Sequence, residues 1–390
     1  MGGLGNRMMQ LLAGYGIKEC CPDAQLVHPE MDEWQIEAVE SKTSNGRSVS
    51  FGSQRNRLGV RGLGNCLSRG IIDSVIIDSY AQHFDNFPDI DSARKLFVAS
   101  EKHNQIKGFG TSELVISIRG REILSGIHPD YVVLPPDFYE AIILETGLKP
   151  IFFGEIDGNS YSAALKERFP TANFISGKDA IHDFLVLQRS CHIVPSISTF
   201  SWLAAWLSKA KSIHFAVAGL FNPRQAKNHF LVPIKDTRYK FHLFPLAYAT
   251  NISLNLDRFK VVQNAMAKAM RPISASDLQC IIQSSYYTPR MIDDYLEFYD
   301  EDFYRSSYSD VGFAVNNGWL PSALHHYIEH GFREERSCFR LNTSWYSMQY
   351  PDAALEVAEG KYFDLEHHYV QSGRRSGYMA DEPQKSINAT

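Results

Sequence analysis

An alternation of apolar runs and amphipathic stretches between residues 113 and 217 narrows the fold more than any other feature. Leu114–Ile118, Ile151–Phe153, Ala172–Ile175, His192–Val194 and Ile213–Ala216 have the length and content of buried strands. Pro136–Glu145, Tyr161–Arg168, Lys178–Arg189 and Phe200–Ala210 separate them with helical spacing. Strands divided by a helix cannot close into hairpins, so they pair in parallel and the helices cover the sheet. A Rossmann-like layered unit is expected here, closed by a helix over Asn255–Met270. The first hundred residues mix a strand at Ser74–Ile77 with helices at Asn6–Gly16 and Ile90–Val98, a second and less regular α/β unit. Residues 41–66, rich in Ser, Asn, Gly and Arg, read as an irregular excursion.

The C-terminal part carries an internal repeat. Tyr304, Tyr308, Asp310, Gly318, His325, His326, Tyr327 and Gly331 recur 42 positions on as Tyr346, Tyr350, Asp352, Gly360, His367, His368, Tyr369 and Gly373. Each unit reads as a Tyr-rich helix, a glycine turn and a second helix, giving a duplicated helical module. The fold class expected from these patterns is α/β: a Rossmann-like unit preceded by the less regular α/β unit and followed by a small α-helical repeat module. The domain boundaries fall at 1–110, 111–270, a Pro- and Ser-rich linker at 271–295, the repeats at 296–380 and a disordered tail at 381–390.

Composition excludes several classes. Hydrophobic residues at 44% and charged residues at 21% are those of a globular chain. A net charge of −5 argues against a nucleic-acid partner and against a polybasic membrane anchor. Six cysteines without a C-x-x-C pair do not make a disulfide framework, which favours a reducing compartment. No signal peptide is read, and Phe200–Leu207 and Phe215–Phe221 fall short of the ~20 residues a bilayer span needs. The expected location is cytoplasmic, or peripheral at the inner face of a membrane.

In an open parallel sheet, ligands gather at the carboxyl ends of the strands. Arg119 follows one strand, Glu155 and Asp157 follow another, and Ser196, Ser198 and Thr199 lie between a strand and the helix beginning near Phe200. A helix N-terminus offers free N–H groups and the positive dipole end to an anion, and an arginine adds permanent charge. Together they predict a diphosphate site. The competing reading is that Ser198 and Thr199 only cap the helix and that Arg119 pairs with Glu122. Gly3, Gly5 and Asn6 form a glycine-rich turn opening a helix. Trp202 and Trp206, at i and i+4, are assigned to the core. The paired histidines of the repeats point in different directions and are assigned to packing rather than to metal.

Four blocks carry a resemblance. Met1–Tyr15 (MGGLGNRMMQLLAGY) resembles the amino-terminal signature of bacterial α-1,2-fucosyltransferases. Asp78–Phe84 (DSYAQHF) is similar to their G-Y-F-Q segment, and Ser117–Glu122 (SIRGRE) stands where they have H-x-R-R-x-D. Asp183-Phe184 with Ser198–Leu207 (STFSWLAAWL) resembles their DF…STFSWWAAWL block. The blocks are collinear, and the resemblance covers roughly the first 250 residues, leaving the repeats outside it.

The resemblance implies a GT-B-like fold of two facing Rossmann-like domains. It also implies inverting, metal-independent transfer of L-fucose from GDP-fucose to a glycan or lipid-linked oligosaccharide, in bacterial surface polysaccharide synthesis, with no cofactor beyond the donor. Arg119 matches the first arginine of the pair and would hold the leaving diphosphate. Gly3, Gly5, Asn6, Ser117, Glu155, Ser196, Ser198 and Thr199 would bind the donor. Glu122, His128 and Asp130 are the candidates for the general base. The chain differs in Ser117 for His, Gly120 for the second Arg, Glu122 for Asp and Ile197 for Asn. Those changes keep two alternatives open: a same-fold enzyme with another nucleotide-sugar donor, and a non-catalytic carbohydrate-binding or scaffolding protein. The repeats would present the acceptor or dock a protein partner.

Overall fold

The computed structural model describes residues 3–40, 46–52, 56–124, 128–226, 229–247, 256–285 and 292–382. Helix α1 (Leu4–Cys20) opens the chain. Its Leu4, Met8, Met9, Leu11 and Leu12 enter one hydrophobic core, and Ala13 and Ile17 enter a second. Strand β1 (Ser48–Phe51), helix α2 (Val60–Ser68) and strand β2 (Ser74–Ile77) form a βαβ unit whose two strands pair in parallel. The stretch expected to be irregular therefore holds a strand and the start of a helix. Val49, Phe51, Val60 and Leu63 are buried there, too few apolar positions among the polar ones for the periodicity to stand out. Helix α3 (Ile90–Leu96) follows, its first N–H groups capped by the Asp89 carboxylate.

The main sheet is built from β3 (Glu113–Ile118), β4 (Lys149–Gly154), β5 (Asn173–Ser176), β6 (His192–Val194), β7 (Ser212–Val217), β8 (Tyr239–Leu243) and β9 (Arg271–Ile273). The connections carry α4 (Arg121–Leu124), α5 (Pro136–Thr146), α6 (Ser160–Arg168), α7 (Ala180–Gln188), α8 (Thr199–Leu207) and α9 (Leu256–Ala269). The strand order is β5-β4-β3-β6-β7-β8-β9, parallel throughout except for β9, which runs antiparallel to β8. The chain thus winds outward from β3, returns to place β6 on the other side of β3, and winds the opposite way. This mixed α/β, mainly parallel sheet is what the alternating pattern implies. N-terminal to it, β1 and β2 are the strands among the described residues.

The segment expected to be a linker at 271–295 instead supplies β9 and α10 (Ala275–Ser285). Pro272 sits opposite His242 on this edge strand, where a missing N–H is tolerated. Leu278 and Ile282, one helical turn apart, bury α10 against the first core.

Beyond α11 (Ile292–Leu296), the repeat is exact in its elements. Helices α12 (Glu301–Ser307), α13 (Ser309–Asn316) and α14 (Ala323–His326) are followed by a π-helical turn at Tyr327–Gly331. Helices α15 (Thr343–Gln349), α16 (Pro351–Ala358) and α17 (Leu365–His368), with a turn at Tyr369–Gly373, reproduce them 42 residues later. The repeated letters have a common cause. Tyr304 Oη lies 3.0 Å from His326 Nδ1, and Tyr346 Oη lies 2.9 Å from His368 Nδ1. Gly331 and Gly373 let each tyrosine hydroxyl approach the backbone, where a Cβ would overlap it.

The repeats do not stand apart from the rest. Tyr295, Leu296, Tyr299, Tyr304 and Tyr327 share the second core with β1 and α2. Arg69 Nη1 donates to Tyr299 O at 3.0 Å, and Ser322 Oγ donates to Ser48 O at 3.1 Å. At Gly62, on α2, a Cβ would overlap the Leu296 side chain. Gly62→Ala is therefore expected to destabilise the chain by about 1–3 kcal/mol through overpacking. Urea denaturation would show this, and an unchanged midpoint would refute the close approach. None of the six cysteines is joined in a disulfide. Among the described residues, no helix is long and apolar enough to cross a membrane.

Candidate active site

Strands β3 and β6 are neighbours, with Val115 opposite Ile193 and Ile116 opposite Val194. The winding reverses between them, so the loops leaving their carboxyl ends diverge and open a crevice. Arg119 leaves β3, and the loop carrying Ser196 and Ser198 leaves β6 into α8. Arg119 Nη1 donates to Ser198 Oγ at 2.8 Å. Ser198 is the N-cap of α8, yet its hydroxyl makes no capping bond to the helix. The first-turn N–H groups, including those of Thr199 and Phe200, are left to another acceptor. Ser196 Oγ lies 3.0 Å from Ser201 Oγ, and Ser201 Oγ also donates to Ser196 O at 3.0 Å, which fixes the loop. Ser117, Ser196, Ser198 and Thr199 are buried, and Arg119 is half-buried over them.

The glycine turn packs against the same helix tip. A Cβ at Gly5 would lie 3.2 Å from Phe200 Cα, so a side chain there would push α1 away from α8. Gly3, the residue preceding α1, faces open space. Asn6 Oδ1 accepts from Gln82 Nε2 at 3.1 Å. Phe84 sets its ring edge against Trp206 at 5.6 Å and Trp202 at 6.3 Å, and the two tryptophans stack at 5.6 Å inside the core. Phe184 meets Phe200 edge-on at 5.5 Å. Three of the sequence blocks, at Gly5, Phe84 and Arg119, thus each meet the fourth on α8 or its N-cap.

Glu155 holds the backbone beyond Arg119, since its Oε2 accepts from Gly120 N at 2.8 Å. Asp157 points elsewhere: it pairs with Lys166 at 2.8 Å and accepts from Ser176, and the Lys166 hydrogen bond holds its carboxyl below the usual range. A small cavity beside Arg119 is lined by Ile118, Ser196, Ile197, Tyr139 and Tyr161. Tyr161 Oη donates to Leu134 O at 2.6 Å, and burial pushes both phenols up, so they stay neutral donors.

The three base candidates fare differently. Glu122 lies on α4, and its side chain is outside the described residues. His128 is exposed; its Nδ1 accepts from Asp130 N at 3.2 Å and its ring meets Tyr131 edge-on. Asp130 Oδ1 accepts from Gln225 Nε2 at 3.0 Å, and its carbonyl accepts from Leu220 N at 2.7 Å. The carboxylate is thus already engaged in holding the loop before β8. His229, which the sequence did not single out, faces both residues. Burial, with His128 adding to it, holds its imidazole below the ordinary histidine range, while Asp130 acts in the other direction. Its Nε2 lies 3.2 Å from Asn56 Nδ2. Both His229 and Asn56 lie in segments without periodicity, which is why no pattern marked them. Among the described residues, no three His, Cys, Asp or Glu side chains gather to hold a metal.

Compared with protein-family models, with curated proteins and with solved structures, the chain matches none.

Proposed function

We propose that the chain is an inverting glycosyltransferase that takes a nucleotide-diphosphate sugar. The donor in this reading is GDP-fucose, and the acceptor is a glycan or lipid-linked oligosaccharide hydroxyl met in the cytoplasm or at the inner face of a membrane. The main sheet is the donor lobe, and the unit of α1, β1, α2 and β2 is the facing lobe of a GT-B-like pair. The observation that carries the reading is the Arg119 guanidinium bonded to the N-cap serine of α8, at the reversal of the winding, with the Gly5 turn against the same helix tip. A guanidinium and uncapped first-turn amides are what a leaving diphosphate needs as its charge develops. The convergence of all four resembling blocks supports it further.

Ser117 favours a second reading within the same class. It is buried on β3, at the place where the resembling family has histidine, so it offers no ring to a guanine. A donor with another base follows from that. Thermal shifts against GDP, UDP, CDP and ADP separate the readings. GDP alone raising the midpoint supports the fucose donor, a preference for another diphosphate supports the second reading, and no shift with any of them refutes both.

A further inference from the structure

The segment His229–Phe230, between β7 and β8, runs beside Gln82–Phe84. Phe84 N donates to Phe230 O at 2.7 Å, and Phe230 N donates to Gln82 O at 3.3 Å. These bonds strap the loop of the main sheet to the segment that follows β2. One residue earlier, His229 Nε2 meets the Asn56 side chain at 3.2 Å.

The roles of donor and acceptor in that contact can be fixed. Gln82 N can only donate, and it lies 3.1 Å from Asn56 Oδ1, so that atom is the amide oxygen. Asn56 Nδ2 therefore carries hydrogens and can only donate. His229 Nε2 must accept with its lone pair, which makes the ring neutral with its proton on Nδ1. Asn56 is itself buried, and Asn86 Nδ2 donates to its backbone carbonyl at 2.6 Å, which holds the main chain that carries the amide. From Gln82 the chain of bonds continues, as Gln82 Nε2 donates to Asn6 Oδ1 at 3.1 Å.

We infer that His229 is a positioning residue: through Asn56 and Gln82 it sets Asn6 at the mouth of the candidate active site, and it does so only while its ring is neutral. A proton on Nε2 would set two donors against each other and undo the contact. The assignment of Asn6 to the donor cleft rests on the glycosyl-transfer reading, whereas the hydrogen-bond chain does not. The charged groups facing His229 are His128 and Asp130 from the loop before α5, and His83 from the strapped segment. Beside His83 lie Asp85 and Arg57, paired with each other at 3.0 Å. Burial and His128 favour a neutral ring and Asp130 opposes them, so the contact is made at neutral pH and lost on acidification.

The test uses the full chain with His229→Gln, whose amide oxygen accepts from Asn56 without titrating, and His229→Ala, which cannot accept. Amide hydrogen exchange over residues 82–87, corrected for its intrinsic pH dependence and taken relative to the core amides of α8, is read at pH 7.5 and 4.5, the lower value set well below the ordinary histidine range because burial lowers the His229 imidazole. The wild-type protein should lose about fivefold protection on acidification, as expected for one hydrogen bond. His229→Gln should hold its protection at both values, and His229→Ala should lack it at both. GDP affinity at the same two pH values should follow the same order. A pH response in His229→Gln equal to the wild type, or full protection in His229→Ala at pH 7.5, would overturn the proposal. A protein that binds no GDP at either pH overturns the donor reading alone, and the exchange comparison still supports or refutes the strap by itself.

Discussion

Arg119→Ala is expected to cut turnover, and with it affinity for the donor diphosphate, by about 10²–10³-fold, the usual cost of removing a group aimed at developing charge. Three features of the site lead to that figure. The guanidinium sits where β3 and β6 diverge, it is anchored on the N-cap of α8, and the helix tip beside it has spare N–H groups. Arg119→Lys keeps the charge but loses the planar fork, so it should fall between the wild type and alanine. The hydrogen bond to Ser198 comes from a charged group and is worth about 1.5–3 kcal/mol, so the melting midpoint of each variant is measured beside its activity. Donor-hydrolysis kinetics and titration calorimetry with GDP make the comparison. Alanine activity within threefold of the wild type, with an unchanged melting midpoint, contradicts the assignment.

Loss of stability between pH 6.5 and 4 is the second large effect. His83, His214 and His242 are buried, and burial pushes each ring down to about 4 from an ordinary value near 6.5. Neither ring nitrogen of His214 has a hydrogen-bond partner, and the ring stacks 5.7 Å from that of His242. Charging either ring would place a cation in the core beside the other. The folded chain therefore refuses protons that the unfolded chain accepts across this window. Unfolding binds protons there, so stability is full above pH 6.5 and falls as the pH drops toward 4. Each ring contributes on the order of 3 kcal/mol to that loss, a large fraction of the roughly 5–15 kcal/mol a domain has in total. Urea denaturation at pH 7, 6, 5 and 4.5 should show a midpoint falling steeply across the series. His214→Leu should flatten the slope without lowering stability at pH 7. A flat profile down to pH 4.5 in the wild type would refute the burial argument.

What the sequence made legible, and what it hid, follows from the range of the interactions. The runs Leu114–Ile118 and His192–Val194 announce β3 and β6 because burial on both faces leaves a local, continuous apolar signal. Arg119 and Ser198 were legible as candidates for the same reason, each being the first polar residue beyond a strand or before a helix. That β3 and β6 are neighbours, and so that Arg119 meets Ser198 across 79 residues, is a matter of strand order that no local pattern encodes. Helix α2 was hidden because glycine at Gly62 and Gly64 lowers helix propensity, while tertiary packing against Leu296 and Cys20 requires it. Strand β9 was hidden by Pro272, which an edge position tolerates. The period of 42 showed that the C-terminal helices repeat, but not that Tyr295, Leu296 and Tyr299 complete the core of α2 and β1. Long-range polar contacts, such as Asn56 with His229 over 173 residues, leave no trace in composition or spacing.

The most direct test of the central claim is a crystal structure of the protein with GDP bound. The account predicts the diphosphate between the β3 and β6 loops, with its oxygens within about 3 Å of the Arg119 guanidinium and of the first-turn amides of α8. A nucleotide seated elsewhere, with Arg119 still closed on Ser198 and the helix tip bare, would contradict it.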